Sequence, residues 1–318
     1  MEPPTAAFPS PGQGTFSTAY DANARPVSVA EPGGVSVSSS YDSMGRLTGQ
    51  AGAGAEAATA ARSFGYDLAG NMTSASAPGG SNTFGFNDRG LLLSASGPSG
   101  SSSFSYNGDG QVASASDAAG VTSYTYDGAG RLATLADPLT GTTATYSYTP
   151  QSQVSQISYG AGNDTRTFGY NGLHQLVSDA LAGPSGQAVA SVGYGYDLNG
   201  NLTSKTTAGF AGSASNTYGY DEANRLTSWT SGTATTNYGY DGAGNRTRAG
   251  LVTYAYDARD QLSSDSSGNT YAYTARGTLA QVAGPGGTVA YTSDAFGQPV
   301  TQGGQGYAYD ALGRVVTA

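Results

Sequence analysis

No cysteine occurs among the 318 residues, and histidine, lysine and tryptophan occur once each, as His174, Lys205 and Trp229. The missing cysteines remove disulfides, thiolate nucleophiles and thiolate metal sites together, and leave the redox compartment open. Positive charge is scarce: 13 Lys+Arg face 22 Asp+Glu, a formal net charge of −9, and no basic cluster stands anywhere along the chain. Nucleic-acid phosphates and anionic membrane surfaces are therefore poor partners. Long apolar runs are missing as well. No stretch approaches the ~20 apolar residues of a spanning helix, and the N-terminal MEPPTAAFPSPGQG has neither a basic start nor an apolar segment. Direct membrane insertion and a secretory signal within this chain are not expected.

Glycine (49 residues), proline (13) and tyrosine (23) are what the chain has instead. Gly and Pro together make about a fifth of it, below the roughly 25–30% of low-complexity disorder, and the tyrosines are far too many for an unfolded segment. Length alone predicts two or three domains of about 100–200 residues, unless a repeat makes one elongated body.

A repeat is present. Aligned on Tyr20, Tyr41, Tyr66, Phe86, Tyr106, Tyr126, Tyr148, Tyr170, Tyr196, Tyr220, Tyr240, Tyr256, Tyr273, Ser293 and Tyr309, the chain divides into fifteen units spaced 16 to 26 residues apart. After the anchor stands Asp in ten units, Asn in three and Thr in two; four residues after it stands Gly in ten. Arg, Gln or Asn usually follows, then Leu, Val or Met in twelve of fifteen, which gives Tyr-Asp-x-x-Gly-(Arg/Gln/Asn)-Leu. Two residues before the anchor, thirteen units carry Phe or Tyr, as in Phe64-Gly-Tyr66 and Tyr124-Thr-Tyr126. That period of two puts both rings on one face of a β-strand, and 22 of the 23 tyrosines fall in these two slots.

Asp-x-x-Gly predicts a type I turn, with the carboxylate on a backbone N–H two residues on and Gly where a left-handed φ is needed. Asn224, Asp260 and His174 replace Gly in three units and tolerate that conformation; Ala24 and Ser152 fit it less well. A second strand then follows, as in Arg131–Leu135, and a variable Gly/Ser/Pro segment leads to the next aromatic pair. Each unit is expected to be one β-hairpin. Because aliphatic residues are sparse, the aromatic pairs are expected to supply most of the apolar burial.

Tyr-Asp-x-x-Gly-Arg-Leu, complete in Tyr41–Leu47 and Tyr126–Leu132 and nearly so in Tyr309–Val315, resembles the YD repeat of the RHS family. That family includes wall-associated bacterial proteins, the encapsulating component of insecticidal Tc toxins and the teneurins. The resemblance covers about residues 16 to 318, leaving 1–15 as a Pro/Gly-rich N-terminal extension. It implies an all-β fold of tandem antiparallel hairpins in a curved spiral sheet, an open β-shell or solenoid, with a structural role in secreted or cell-surface proteins. About thirty strands at ~4.8 Å each make a ribbon on the order of 140 Å long, roughly one turn of such a spiral. The chain stops in mid-repeat at Arg314–Ala318, so a fragment of a longer polypeptide is one expectation, and a product made of the repeats alone is the other.

Chemistry-bearing residues are absorbed by the repeat. His174 is the only base available to a Ser-His-Asp system and sits in a slot that Gly fills elsewhere, so it reads as a turn residue. No His pair or acidic calcium loop points to a metal, and no cofactor is expected. Ten of the Asp residues belong to turns, whereas a catalytic carboxylate should be singular. Glu56 lies in the spacer AGAGAEAATAA and Glu222 inside a turn, neither with an obvious partner. Self-cleaving shells of the family carry an Asp-Pro-rich motif; Asp137-Pro138-Leu139-Thr140-Gly141 is the one segment here that approaches it, and it reads as a Pro-containing turn. Arg25, Arg46, Arg131, Arg225 and Arg314 are expected to pair with a turn Asp of their own or an adjacent hairpin. Trp229 falls in the slot of Leu135, Ile157 and Val282, which predicts core packing over sugar stacking. Catalytic, cofactor-binding and metal-binding residues are thus all expected to be none. The reading is a non-enzymatic scaffold whose partner is a neighbouring, toxin-like domain or cargo of a longer polypeptide. Its rivals are an adhesive carbohydrate-binding module, to be tested at Trp229, and head-to-tail self-association through exposed strand edges.

Overall fold

The computed structural model describes residues 5–10, 14–210 and 212–317. Among them are thirty-two strands and no helix. Thirty strands belong to one antiparallel sheet, in which each strand pairs with its neighbour in the chain. The chain is therefore all-β, a meander of hairpins. Of the N-terminal extension, Thr5–Ser10 is a strand paired with Gly14–Tyr20, and residues 1–4 and 11–13 lie outside the described residues.

All fifteen expected turns form. In each, the N–H of the fourth residue donates to the carbonyl of the first at 2.9–3.2 Å, and the N–H of the first donates to the carbonyl of the fifth at 2.8–3.0 Å. The register slips by one residue just before the anchor, so Thr125 faces Thr134 and Tyr126 faces Leu132. This is a type I turn closed by a bulge, which strengthens the local strand twist. The bulge residue must take a left-handed φ: Gly130 stands at 75°. The five replacements adopt it as well, Ala24 at 59°, Ser152 and His174 at 63°, Asn224 at 59° and Asp260 at 58°. Ala24 and Ser152 thus follow the rule they were expected to fit poorly, because the two flanking strands fix the turn whatever residue occupies it.

The strands alternate as a sheet with one covered face should. In Gly120–Tyr126, Thr122, Tyr124 and Tyr126 are half-buried while Val121, Ser123 and Thr125 are exposed. The aromatic rings line the covered face, but among the residues whose burial is described none is fully buried. Among the described residues the buried apolar side chains include Val35, Ala75, Ala144, Ala295 and Ala311, so burial by aromatics is partial and spread along the row rather than gathered in a core.

Two compact units share these hairpins: Met1–Ser103 with Tyr254–Ala318, and Phe104–Thr253. In the second, hairpin follows hairpin without interruption. In the first, the late turns at 274–277, 294–297 and 310–313 lie against the connections of early hairpins. Ala57 N–H donates to the Ser293 carbonyl at 3.2 Å, and Ala295 N–H donates to Thr59 Oγ1 at 2.7 Å. Gly52 and Gly79 permit the approach: a Cβ on Gly52 would lie 2.4 Å from that of Ala295, and one on Gly79 would lie 2.3 Å from the Tyr309 carbonyl oxygen.

Candidate functional site

The repeat itself builds a stitched edge along the turns. Asp127 shows the pattern. Its Oδ1 accepts the N–H groups of Ala129 at 2.9 Å and Arg131 at 3.0 Å, and its Oδ2 accepts Arg131 Nε at 2.8 Å. The same Arg131 reaches forward, donating through Nη1 to Ser152 Oγ in the next turn at 3.1 Å while its guanidinium lies 4.4 Å from the centre of the Tyr148 ring. Arg25, Arg46 and Arg225 repeat this grip on their own Asp and on the following turn's carbonyl and anchor ring. Of the two pairings allowed by the sequence, the ion pair forms with the Asp of the same turn, and the adjacent turn offers a carbonyl or hydroxyl instead of its carboxylate. Where Gln replaces Arg the forward stitch survives, as Gln111 Nε2 to the Gly130 carbonyl at 2.8 Å and Gln153 Nε2 to the His174 carbonyl at 2.8 Å. Asn in that slot is shorter and ties back to its own turn, as Asn71 Nδ2 to Asp67 Oδ2 at 2.9 Å, and reaches forward where the next turn offers a side chain, as Asn201 Nδ2 to Asn224 Oδ1 at 2.7 Å.

A second stitch runs backward. In at least nine repeats the anchor hydroxyl donates, at 2.7–2.9 Å, to the carbonyl of the Leu slot in the preceding hairpin; Tyr126 to Val112 and Tyr148 to Leu132 are examples. Strand pairing between those hairpins starts only two residues further from the turn, at Thr134↔Thr145. Near the turns, side chains therefore supply the bonds that the strand ladder leaves out, satisfying a carbonyl that would otherwise go unpaired.

Charge follows from these contacts. The Arg131 side chain, then its N–H, holds Asp127 below the usual carboxylate range against a smaller opposing effect of desolvation, and the Arg25 side chain does the same for Asp21. Burial pushes the Tyr148 phenol up, as it does that of Tyr220.

Sites singled out in the sequence fall as follows. His174 is a turn residue whose Nδ1 lies 3.2 Å from Gln153 Oε1. Asp137 is bonded within its own turn, Oδ2 accepting the Thr140 hydroxyl at 2.7 Å. Glu222 stands exposed in its turn. Glu56 does have a partner: its Oε2 lies 3.1 Å from Arg276 Nη2. Trp229 occupies the expected slot, opposite Tyr218, but its residue is 38% exposed and its Nε1 donates to Asn216 Oδ1 at 2.9 Å. Core packing is the wrong description, because the covered face there is a single open layer. No group of three or more His, Cys, Asp or Glu able to hold a metal ion occurs among the described residues.

The sequence reading missed two polar clusters. In the first unit, Arg276, its side chain 3% exposed, lies between Glu56 and Glu31 and donates to the Asp294 carbonyl at 2.6 Å. Beside it Arg62 Nη2 donates to Gln298 Oε1 at 2.5 Å with its guanidinium 3.9 Å from the Phe296 ring centre, and buried Asn82 Nδ2 donates to Asp310 Oδ2 at 3.0 Å. Burial raises the Asp310 carboxyl, and its bonds from Arg314 and Asn82 outweigh that and hold it low. A cavity of about 270 Å³ lies among Arg62, Asp294, Gln298 and Tyr309. In the second unit, Arg166 grips Asp179 through Nε at 2.7 Å and through Nη2. Asp179 shares its slot with Leu135, Ile157 and Val282 but also with Lys205 and Asp265, so sequence did not single it out. The docking of late turns on early connections was not detectable either, because nothing local encodes it.

An edge of stitched turns on a hairpin meander defines a YD-repeat protein. The family model for the teneurin YD-shell matches residues 164–318, and that for the RHS repeat matches residues 86–122, 106–142 and 126–164. The chain belongs to the RHS/YD-repeat family. The crystal structure of TcdB2-TccC3-Cdc42 matches with a TM-score of 0.71 at 16% identity, over 93% of this chain and 20% of that one. TcdB2-TccC3 without its hypervariable C-terminal region gives 0.70 at 17% identity over 91% and 19%, and the Photorhabdus luminescens Tc holotoxin pore gives 0.60 at 17% over 96% and 18%. These likenesses concern the fold, and the chain spans about a fifth of the length of the first two of those chains. No curated protein sequence matches it.

Proposed function

We propose that the chain is a non-enzymatic wall segment of a secreted or cell-surface protein, which encloses, carries or presents a neighbouring domain of toxin-like kind. The observation that carries this reading is the seam in the first unit, where turns of late repeats dock on the connections of early ones through Arg276, Arg62 and Asn82. A row of hairpins that packs turns onto connections can grow in two directions, along the row and across it, as a wall must. The chemistry of the turns supports a structural role for their carboxylates, which accept local N–H groups and arginines. Electron microscopy of the longest polypeptide that contains these repeats tests the reading. A hollow particle with density inside it is expected; a fibre, or separate globules with empty surroundings, overturns it.

A further inference from the structure

One place in the second unit departs from the repeat in three ways at once. Tyr159 is the single tyrosine outside the two aromatic slots. Asp179, in a slot that also holds Leu135, Val282, Lys205 and Asp265, is the one charged residue there that is buried, opposite Phe168. Arg166 holds that carboxylate with two of its nitrogens and leaves its side chain 43% exposed. The three residues meet with Asp164, Leu181 and Val192 around an open cavity of about 340 Å³.

The fold does not need this ion pair. A carboxylate taken out of water costs stability even when it is paired, and Leu135, Ile157 and Val282 fill the same slot in other repeats without that cost. A polar pair kept in a cleft despite that cost marks a place where something is bound.

We propose that this cavity binds a neutral pyranose sugar. A pyranose has a polar hydroxyl rim and an apolar C–H face, and the cavity offers the complement of both. Asp164 supplies acceptor oxygens for adjacent hydroxyls. The exposed nitrogens of Arg166, fixed in direction by Asp179, supply donors. Leu181 and Val192, on neighbouring strands of the covered face, form a floor for the C–H face, and the Tyr159 ring borders it. Two carboxylates against one guanidinium, on a chain of net charge −9, disfavour sulfated or phosphorylated ligands. This inference is independent of the wall reading, since a wall segment needs no ligand.

Saturation-transfer NMR on the intact 318-residue chain, with galactose, glucose, mannose, fucose and N-acetylglucosamine as separate probes, tests it. At least one sugar should receive saturation, strongest at its ring C–H protons. Asp164→Asn should weaken that binding about tenfold or more, the loss of a charge-assisted hydrogen bond. The double variant Arg166→Val with Asp179→Leu, which makes both slots apolar as Ala144 and Ile157 are in the preceding repeat, should keep its urea midpoint and lose binding. No transfer to any of the five sugars, or affinity unchanged in both variants, overturns the proposal.

Discussion

Removing one hydroxyl, Tyr126→Phe, should loosen the junction on one side of a hairpin and spare the other. The Tyr126 hydroxyl donates to the Val112 carbonyl of the preceding hairpin at 2.8 Å, whereas the junction to the following hairpin is tied by Arg131 and Tyr148. Loss of a single such bond costs about 1 kcal/mol. Truncation to Ala removes the ring too; half of roughly 200 Å² at about 25 cal/mol/Å² adds about 2.5 kcal/mol. Hydrogen exchange read by mass spectrometry locates the effect. In Tyr126→Phe, exchange should quicken in Val112–Asp117 and Gly120–Tyr126, while Thr143–Tyr148 and Val154–Ser158 keep their protection. Equal loss on both sides, or no loss anywhere, would refute the backward stitch. Phe86 already stands at one anchor, so the Phe variant should fold.

Other outcomes follow from the same geometry. Ala24→Gly should stabilise by about 0.5–1 kcal/mol in urea titration, since relief of about 1–2 kcal/mol of left-handed strain exceeds the extra entropy of glycine; Gly130→Ala should do the opposite. Turn carboxylates such as Asp21 and Asp127 have lowered pKa values, so their contribution is complete above the unfolded value of about 3.9 and disappears as pH falls through the folded one. The urea midpoint should therefore hold from pH 7 to 5 and decline below about pH 4, and a midpoint that rises on acidification contradicts this. Asp310→Ala leaves Asn82 and Arg314 without their shared acceptor and should cost about 1–3 kcal/mol, with faster proteolysis in residues 77–82 if the seam is as described.

Much of this fold is written locally. Tyr, Asp and Gly at fixed spacing specify strand, turn and bulge within seven residues, and even Ala24, a poor left-handed residue, obeys because its flanking strands are fixed. Face assignment was harder to read: Leu132 faces Tyr126 across the bulge, which breaks simple alternation in the second strand. Trp229 was misjudged because a slot that is apolar in sequence lies on a single layer, half open to solvent. Arg276 and Glu56 meet across 220 residues, and no spacing rule reaches that far. The pair Arg166–Asp179 was not legible, because the slot of Asp179 also holds Lys205 and Asp265 in other repeats and a charge there does not stand out.

The central claim is that turn stitches make neighbouring hairpins one cooperative row. Trp229, the only tryptophan, lies in the same unit as Tyr126, so its fluorescence reports unfolding at a distance while circular dichroism reports the whole chain. In Tyr126→Ala the urea midpoint at Trp229 should fall together with the circular-dichroism midpoint. A Trp229 transition that stays at its wild-type midpoint while circular dichroism shifts would contradict the account.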